Sequence, residues 1–166
     1  SQYSFCGIDP RGLADRYADY WLQNVNQVRI NRAHCVKNPL RHKGYGASCW
    51  GLTSSDGADG YSTHSPDNDD GTISPTAAIS SMPYAPKEAL QAVRYFLKVH
   101  GDNVWGRFGF VDAFNAARNW YADTYLAIDQ GPIVVMIENH RTQLLWNLFM
   151  KAPEIQKGLR ALSFTR

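Results

Sequence analysis

Apolar positions recur at helical spacing in several separate stretches. Between Leu13 and Val36, residues Ala14, Tyr17, Ala18, Trp21, Val25, Val28 and Cys35 fall on one face, which predicts a long amphipathic helix ended by Asn38-Pro39. Pro86 to His100 repeats the pattern through Leu90, Val93, Phe96 and Leu97, with Gly101 as its stop. Pro132 opens the apolar run Ile133 to Ile137, which continues through Leu144, Leu145, Trp146, Leu148 and Phe149. That is too long for a strand and predicts a helix from Pro132 to about Lys151, with its first turns buried. Ala152-Pro153 breaks it, and Pro153 to Leu162 forms a last helix. Pro75 to Met82 reads as a short buried helix whose small residues, Ala77, Ala78, Ser80 and Ser81, permit close backbone approach.

Other segments lack such a pattern. Gln2 to Arg11 reads as a loop. Arg41 to Pro86 is rich in Gly, Ser, Asp and Asn, with turn formers at Asp56-Gly57, Asp59-Gly60 and Asp70-Gly71. Trp50, Leu52, Tyr61 and Tyr84 give it anchors, so an ordered loop is expected, of the length that usually carries function. Val104 to Tyr125 is a second aromatic loop region with at most a short helical turn. No clear run of alternating strands appears, though short hairpins fit the Gly-rich loops. No repeat or low-complexity linker is present.

With 166 residues the chain can bury one ordinary core. A net charge of +2 with 19% charged residues gives no reason to expect nucleic acid or an anionic membrane as partner. Aromatics at 13% suit either core packing or a groove of rings that stack on sugars. Cys6, Cys35 and Cys49 lack metal-ligand spacing; one disulfide plus a free thiol stays open. No signal peptide or membrane span is visible. The chain opens in mid-motif at Ser1-Gln2-Tyr3-Ser4, as a processed product or a piece of a longer protein would.

No nucleophile elbow, HExxH, P-loop or GxGxxG occurs. The five histidines are scattered. Asp67, Asp69 and Asp70 lack the spacing and closing Glu of an EF-hand. What remains is a set of acids beside glycines and aromatics: Asp9, Asp56, Asp59, Asp70, Asp112, Asp129 and Glu138. Glycoside hydrolysis needs such groups, one to protonate the leaving oxygen and one to activate water or attack the sugar. The same aspartates could equally cap helices and make turns.

Many short motifs lie in a fixed order: Gly44-Tyr45-Gly46, Trp50-Gly51-Leu52-Thr53, Ser55-Asp56-Gly57, Asp70-Gly71-Thr72-Ile73-Ser74-Pro75-Thr76-Ala77-Ala78, Ser80-Ser81-Met82-Pro83-Tyr84-Ala85-Pro86, Asp112-Ala113-Phe114-Asn115, Ile128-Asp129-Gln130-Gly131-Pro132 and Met136-Ile137-Glu138-Asn139. Together they resemble the glycoamylase-like family over nearly the whole chain. The resemblance implies an all-α fold, part of an (α/α)6 double-ring barrel with long loops and room for short β-hairpins. It implies inverting hydrolysis of β-1,2-glucan, without cofactor or metal, in the periplasm or outside the cell. A full double ring needs about a dozen helices and well over 250 residues. The chain therefore corresponds to the C-terminal portion of the domain, and the N-terminal portion would be its partner.

Within that resemblance Asp129 is the first choice for a catalytic carboxylate, acting as base on water, with Asp70 and Asp56 next. The general acid would lie in the missing portion. Gln2, Asp9, Arg11, Asn115 and Glu138 are candidates for binding sugar hydroxyls, and Trp50, Tyr84, Trp105 and Trp120 for stacking. Glu138 could instead be a buried acid paired with Arg11 or Arg141. Two readings besides hydrolysis stay open: a glycan-binding or transglycosylating relative, and a non-catalytic helical fragment that needs the rest of the barrel.

Overall fold

The computed structural model describes residues 2–166. Among these residues it is mainly helical, with two small antiparallel hairpins. Helix α1 spans Tyr20–Lys37, α2 Pro75–Ile79, α3 Pro86–Tyr95, α4 Ala127–Thr142, α5 Leu144–Phe149 and α6 Pro153–Ala161. The helical expectation holds, with the two hairpins added to it; the described residues do not by themselves close a barrel.

Helix α1 starts seven residues later than its periodicity predicts. Asp15 accepts from the amides of Tyr17 and Ala18, and Asp19 caps the helix by accepting from the amide of Leu22 at 2.9 Å. These local side-chain bonds compete with helix formation, and Ala14 pairs instead with Asp19 and with Thr165. The helix stops at Asn38, which adopts the left-handed conformation.

The stretch between α1 and α2 is an ordered loop. Short bridges Gly46–Cys49, Ser55–Ser62 and Ser65–Asn68 divide it into turns. Asp69 pins it to α1: its carboxylate meets His34 Nε2 at 2.6 Å and accepts from the hydroxyl of Tyr45 at 2.7 Å and the amide of Gly71 at 3.0 Å. His42 stands 3.4 Å away. All five residues of α2 are buried, as its small side chains predict. Gly51 crosses it so closely, at φ +133°, that a Cβ there would lie 2.7 Å from the carbonyl oxygen of Ser74.

Helix α3 continues as a π-helical turn over Phe96–His100. The aromatic region that follows is not plain loop. Strands β1 (Trp105–Gly106) and β2 (Gly109–Phe110) pair, as do β3 (Phe114–Asn115) and β4 (Trp120–Tyr121). Phe114 also bridges to Ile73, which ties the second hairpin to the approach to α2.

Helix α4 begins at Ala127, so Pro132 lies inside it rather than at its first position. Polar residues Asp129 and Gln130 mimic a turn in sequence, but they form the helix's opening turns. The ring of Pro132 removes the donor that would have met Ile128, a loss a helix tolerates best near its start. The predicted single helix to Lys151 divides at Gln143, at φ +62°. Buried Asn139 braces the elbow, accepting from the amide of Trp146 at 3.1 Å and donating to the carbonyl of Cys6 at 2.9 Å. Trp146 Nε1 donates to the carbonyl of Phe5 at 2.7 Å.

The core joins Trp50, Ile73, Ile79, Phe96, Phe114, Met136 and Trp146. All three cysteines are free thiols, so the open disulfide is not formed. On the opposite side of α4, Val134 and Ile128 are exposed, as are Phe108 and Leu148. An apolar depression of about 870 Å³ runs there, lined by Val93, Leu97, Phe108, Ile133, Val134 and Leu145 among others.

Candidate active site

Three aspartates from distant parts of the chain converge. Asp56 comes from the long loop, Asp112 from the link between the two hairpins, and Asp129 from the first turn of α4. Asp112 is held by its backbone, whose amide donates to the carbonyl of Thr124 at 3.1 Å. Its Oδ2 accepts from the amide of Asp56 at 2.7 Å. Asp56 in turn accepts from the hydroxyl of Thr124. Asp112 and Asp129 are each 1% exposed, and Oδ1 of Asp112 and Oδ2 of Asp129 are buried without a hydrogen-bond partner.

Tyr3 closes the far side of Asp129. Its hydroxyl donates to Oδ1 at 2.5 Å. Thr76 donates to the carbonyl of the same residue at 2.7 Å, fixing the start of α4 to α2. Burial, and then the neighbouring Asp129, hold the Tyr3 phenol above its usual range. Burial and the facing Asp129 push Asp112 up to about 7, against the pull of the Asp56 amide. A cavity of about 110 Å³ adjoins this cluster, lined by Gln2, Tyr3, Asn31, Thr53, Thr76 and Ser81 among others.

The sequence candidates divide on this geometry. Asp129 and Asp56 belong to the cluster. Asp129 is buried behind Tyr3 rather than open to the surface. Asp70 lies nearby in the chain but apart in contact: half-exposed, it accepts from the amide of Thr72 and stands 3.2 Å from His64 Nδ1. Gln2 is at the cavity, donating to the hydroxyl of Ser81 at 2.8 Å.

Several binding candidates are buried or engaged by partners within the chain. Asp9 is buried, and its oxygens are taken by Arg11 at 2.8 and 2.9 Å and by Arg166 at 2.5 Å. Arg11 also reaches Gln143 and lies over the Trp146 ring, so its guanidinium is committed to the elbow. Asn115 is fully buried; it donates to the carbonyl of Asp70 and accepts from the amides of Ala117 and Arg118. Trp50, at 0% exposure, and Tyr84, at 8%, have no free face on which a sugar could stack. Composition could not separate these core rings from platform rings. Trp105 is exposed, but on the apolar face beside Phe108. Trp120 is half-buried in β4, opposite Asn115. Glu138 is neither deeply buried nor at the cluster. It lines the apolar face and pairs with Arg141 at 3.0 Å and the hydroxyl of Thr142 at 2.6 Å.

Asp112 and Tyr3 are the residues of this cluster that the sequence left unassigned. Asp112 stood among the acids beside aromatics, but nothing local distinguishes it from a turn aspartate. Tyr3 carried no signal beyond its place in an opening motif.

The helical frame thus gathers three carboxyls from separate segments beside the cavity lined by Gln2 and Tyr3. Residues 1–153 match the Glycoamylase family model, described as "Putative glucoamylase", and the chain belongs to this family. It is 43% identical over 162 residues to an exo β-1,2-glucooligosaccharide sophorohydrolase (non-reducing end) of Parabacteroides distasonis, covering 96% of this chain and 22% of that protein. Among solved structures, the Bacteroides uniformis protein of the same description as the family superposes with a TM-score of 0.96 at 62% identity. An endo-β-1,2-glucanase from Chitinophaga pinensis, in complex with sophorotriose and glucose, gives 0.96 at 54% identity. Those two matches cover 98% and 99% of this chain, and 40% of each structure. The chain thus spans well under half the length of these relatives.

Proposed function

We propose that this chain is the C-terminal portion of a domain that hydrolyses β-1,2-glucan by inverting acid–base catalysis. The observation that carries the reading is the buried Asp56–Asp112–Asp129 cluster closed by Tyr3, in a chain of the same fold as an endo-β-1,2-glucanase. Asp129 is the base. The attacking water gives a proton to the Tyr3 hydroxyl, which passes its own to Oδ1 of Asp129, while the hydroxide bonds to the anomeric carbon. The glycosidic C–O bond breaks as a general acid, supplied by the rest of the domain, protonates the leaving oxygen. Inverting pairs stand about 6.5–9.5 Å apart to admit the water, so two acids from different portions are compatible.

The exposed apolar side of α4 supports the second half of the proposal. Ile128 and Val134 stand open to solvent there beside the apolar depression, and the missing portion of the double ring would cover them. Among the described residues no helix is long and apolar enough to cross a membrane. We place the activity in the periplasm or outside the cell, where glucan chains are met.

The test is reducing-end release from β-1,2-glucan by the complete polypeptide, beside its Asp129→Asn variant. Asn keeps the acceptor for Tyr3 but not the basicity, so the variant should lose about 10²–10⁴-fold in kcat with its fold intact. Undiminished hydrolysis by Asp129→Asn would remove Asp129 from the base role. Glycan binding without product would replace hydrolysis with recognition.

A further inference from the structure

Asp112 takes no step in the scheme above, yet it is buried beside the base. Each of the two carboxyls has one oxygen accounted for: Oδ2 of Asp112 by the amide of Asp56, and Oδ1 of Asp129 by the hydroxyl of Tyr3. Oδ1 of Asp112 and Oδ2 of Asp129 are sealed from solvent and have no hydrogen-bond partner. Two acceptor oxygens can bond each other only through a proton, and two bare carboxylates facing each other in a dry site repel. The remaining titratable neighbours cannot relieve this. Asp56 is a third acid, and the phenols of Tyr3 and Tyr61 lie around the same cluster.

We propose that Asp112 is the positioning residue of the site: it carries the single proton shared by the pair and donates it to Oδ2 of Asp129, fixing the plane of the carboxylate and leaving Oδ1 to Tyr3. Asp129 is then held from both edges, by a phenol and by a carboxylic acid. Burial beside a like-charged group is what keeps an aspartic acid protonated near neutral pH. The raised titration of Asp112, near 7, is consistent with this geometry. When that proton leaves, the hold on Oδ2 becomes a repulsion, so activity should fall through the same range.

The inference rests on the assignment of Asp129 as base, and its test has one arm that does not. Infrared difference spectroscopy of the complete polypeptide should show a protonated carboxyl at pH 6 that disappears with a midpoint near 7. The band should be missing in Asp112→Asn. Its absence from the wild type, or its persistence in Asp112→Asn, would overturn the proposal whether or not the protein cleaves glucan. The second arm is the pH–rate profile. An Asn amide can donate to Asp129 and its oxygen can accept from Asp56, so Asp112→Asn should keep kcat at pH 6 within about threefold and lose the alkaline decline. Asp112→Ala, which cannot donate, should lose about 10²-fold at the same pH. An Asp112→Asn protein that is folded but as slow as Asp112→Ala would mean that Asp112 acts as a carboxylate, contrary to the proposal.

Discussion

The hydroxyl of Tyr3 donates to Oδ1 of Asp129 across 2.5 Å, joining residues 126 positions apart. The bond makes a site of two segments that the core alone would not bring together. Tyr3→Phe keeps the ring and deletes the donor. We expect kcat to fall by about 10²-fold with KM nearly unchanged, since in the proposed mechanism the lost group serves proton transfer rather than binding. Steady-state kinetics on β-1,2-glucan decide it; a variant that changed KM alone would make Tyr3 a substrate contact.

The shared proton should also be visible in stability. Between the unfolded carboxyl value of about 3.9 and the folded value near 7, the native chain holds a proton on Asp112 that the unfolded chain releases. Stability therefore falls as pH rises through that window and levels off above it. Asp112→Asn has no such proton to lose. It should be the more stable protein at pH 8, by on the order of 2 kcal/mol, with the gap closing toward pH 4. Urea midpoints across that range measure it, and a constant difference at all pH values would contradict the assignment.

Asp69 has the opposite sign. Burial raises its titration, but the bonds from Tyr45, His34 and the Gly71 amide outweigh that and hold it below the usual carboxylate range. Its contribution is complete above the unfolded value of about 3.9 and is lost as pH falls through the folded one. Asp69→Asn should cost about 2–3 kcal/mol at pH 7 and much less in acid. The loop it pins should become the first site of proteolytic nicking, as mass spectrometry of limited digests would show.

The apolar side of α4 predicts a difference between contexts. Val134 is 68% exposed. In this chain alone Val134→Lys should change stability by less than about 0.5 kcal/mol. Within the complete polypeptide, if the rest of the domain covers that side as proposed, it should cost about 2–4 kcal/mol by burying an unpaired charge. Equal effects in both would mean that the face stays open to water.

Thiol chemistry offers a simple check on the core. Burial pushes Cys35 up to about 11 and Cys49 up to about 12. Both should resist a thiol reagent until the protein unfolds, and denaturation should then expose three reactive thiols. A lower count would require a disulfide.

Helix periodicity makes most of this frame legible in the sequence. It located α3, α6 and the small-residue helix α2 to within a few residues. Its failures have physical causes. Asp15 and Asp19 draw off the backbone donors that would have extended α1 toward Leu13. Helix α4 begins among Ala127, Ile128 and Asp129 because tertiary contact through Thr76 supplies what the polar sequence does not advertise. Gln143 adopts a left-handed conformation that Asn139 makes tolerable from four residues away. In the site, Asp129 was legible because it precedes a buried run. Asp112 was not, because its meaning depends on a partner 17 residues further on and on an amide 56 residues back. Trp50 and Tyr84 show the limit of composition: a ring suited to stacking on sugar is equally suited to a core.

The bridges at Gly46–Cys49, Ser55–Ser62 and Ser65–Asn68 bear on how the molecule reaches its native state. A single unstructured excursion between α1 and α2 would have to close all at once, late, and against chain entropy. Divided into turns of a few residues, the same stretch can order locally, at rates set by short contacts rather than by the distance between helices. The acids it carries would then arrive at α1 and at the hairpins already arranged. Long-range docking of a partly formed loop, rather than its construction, becomes the slow event.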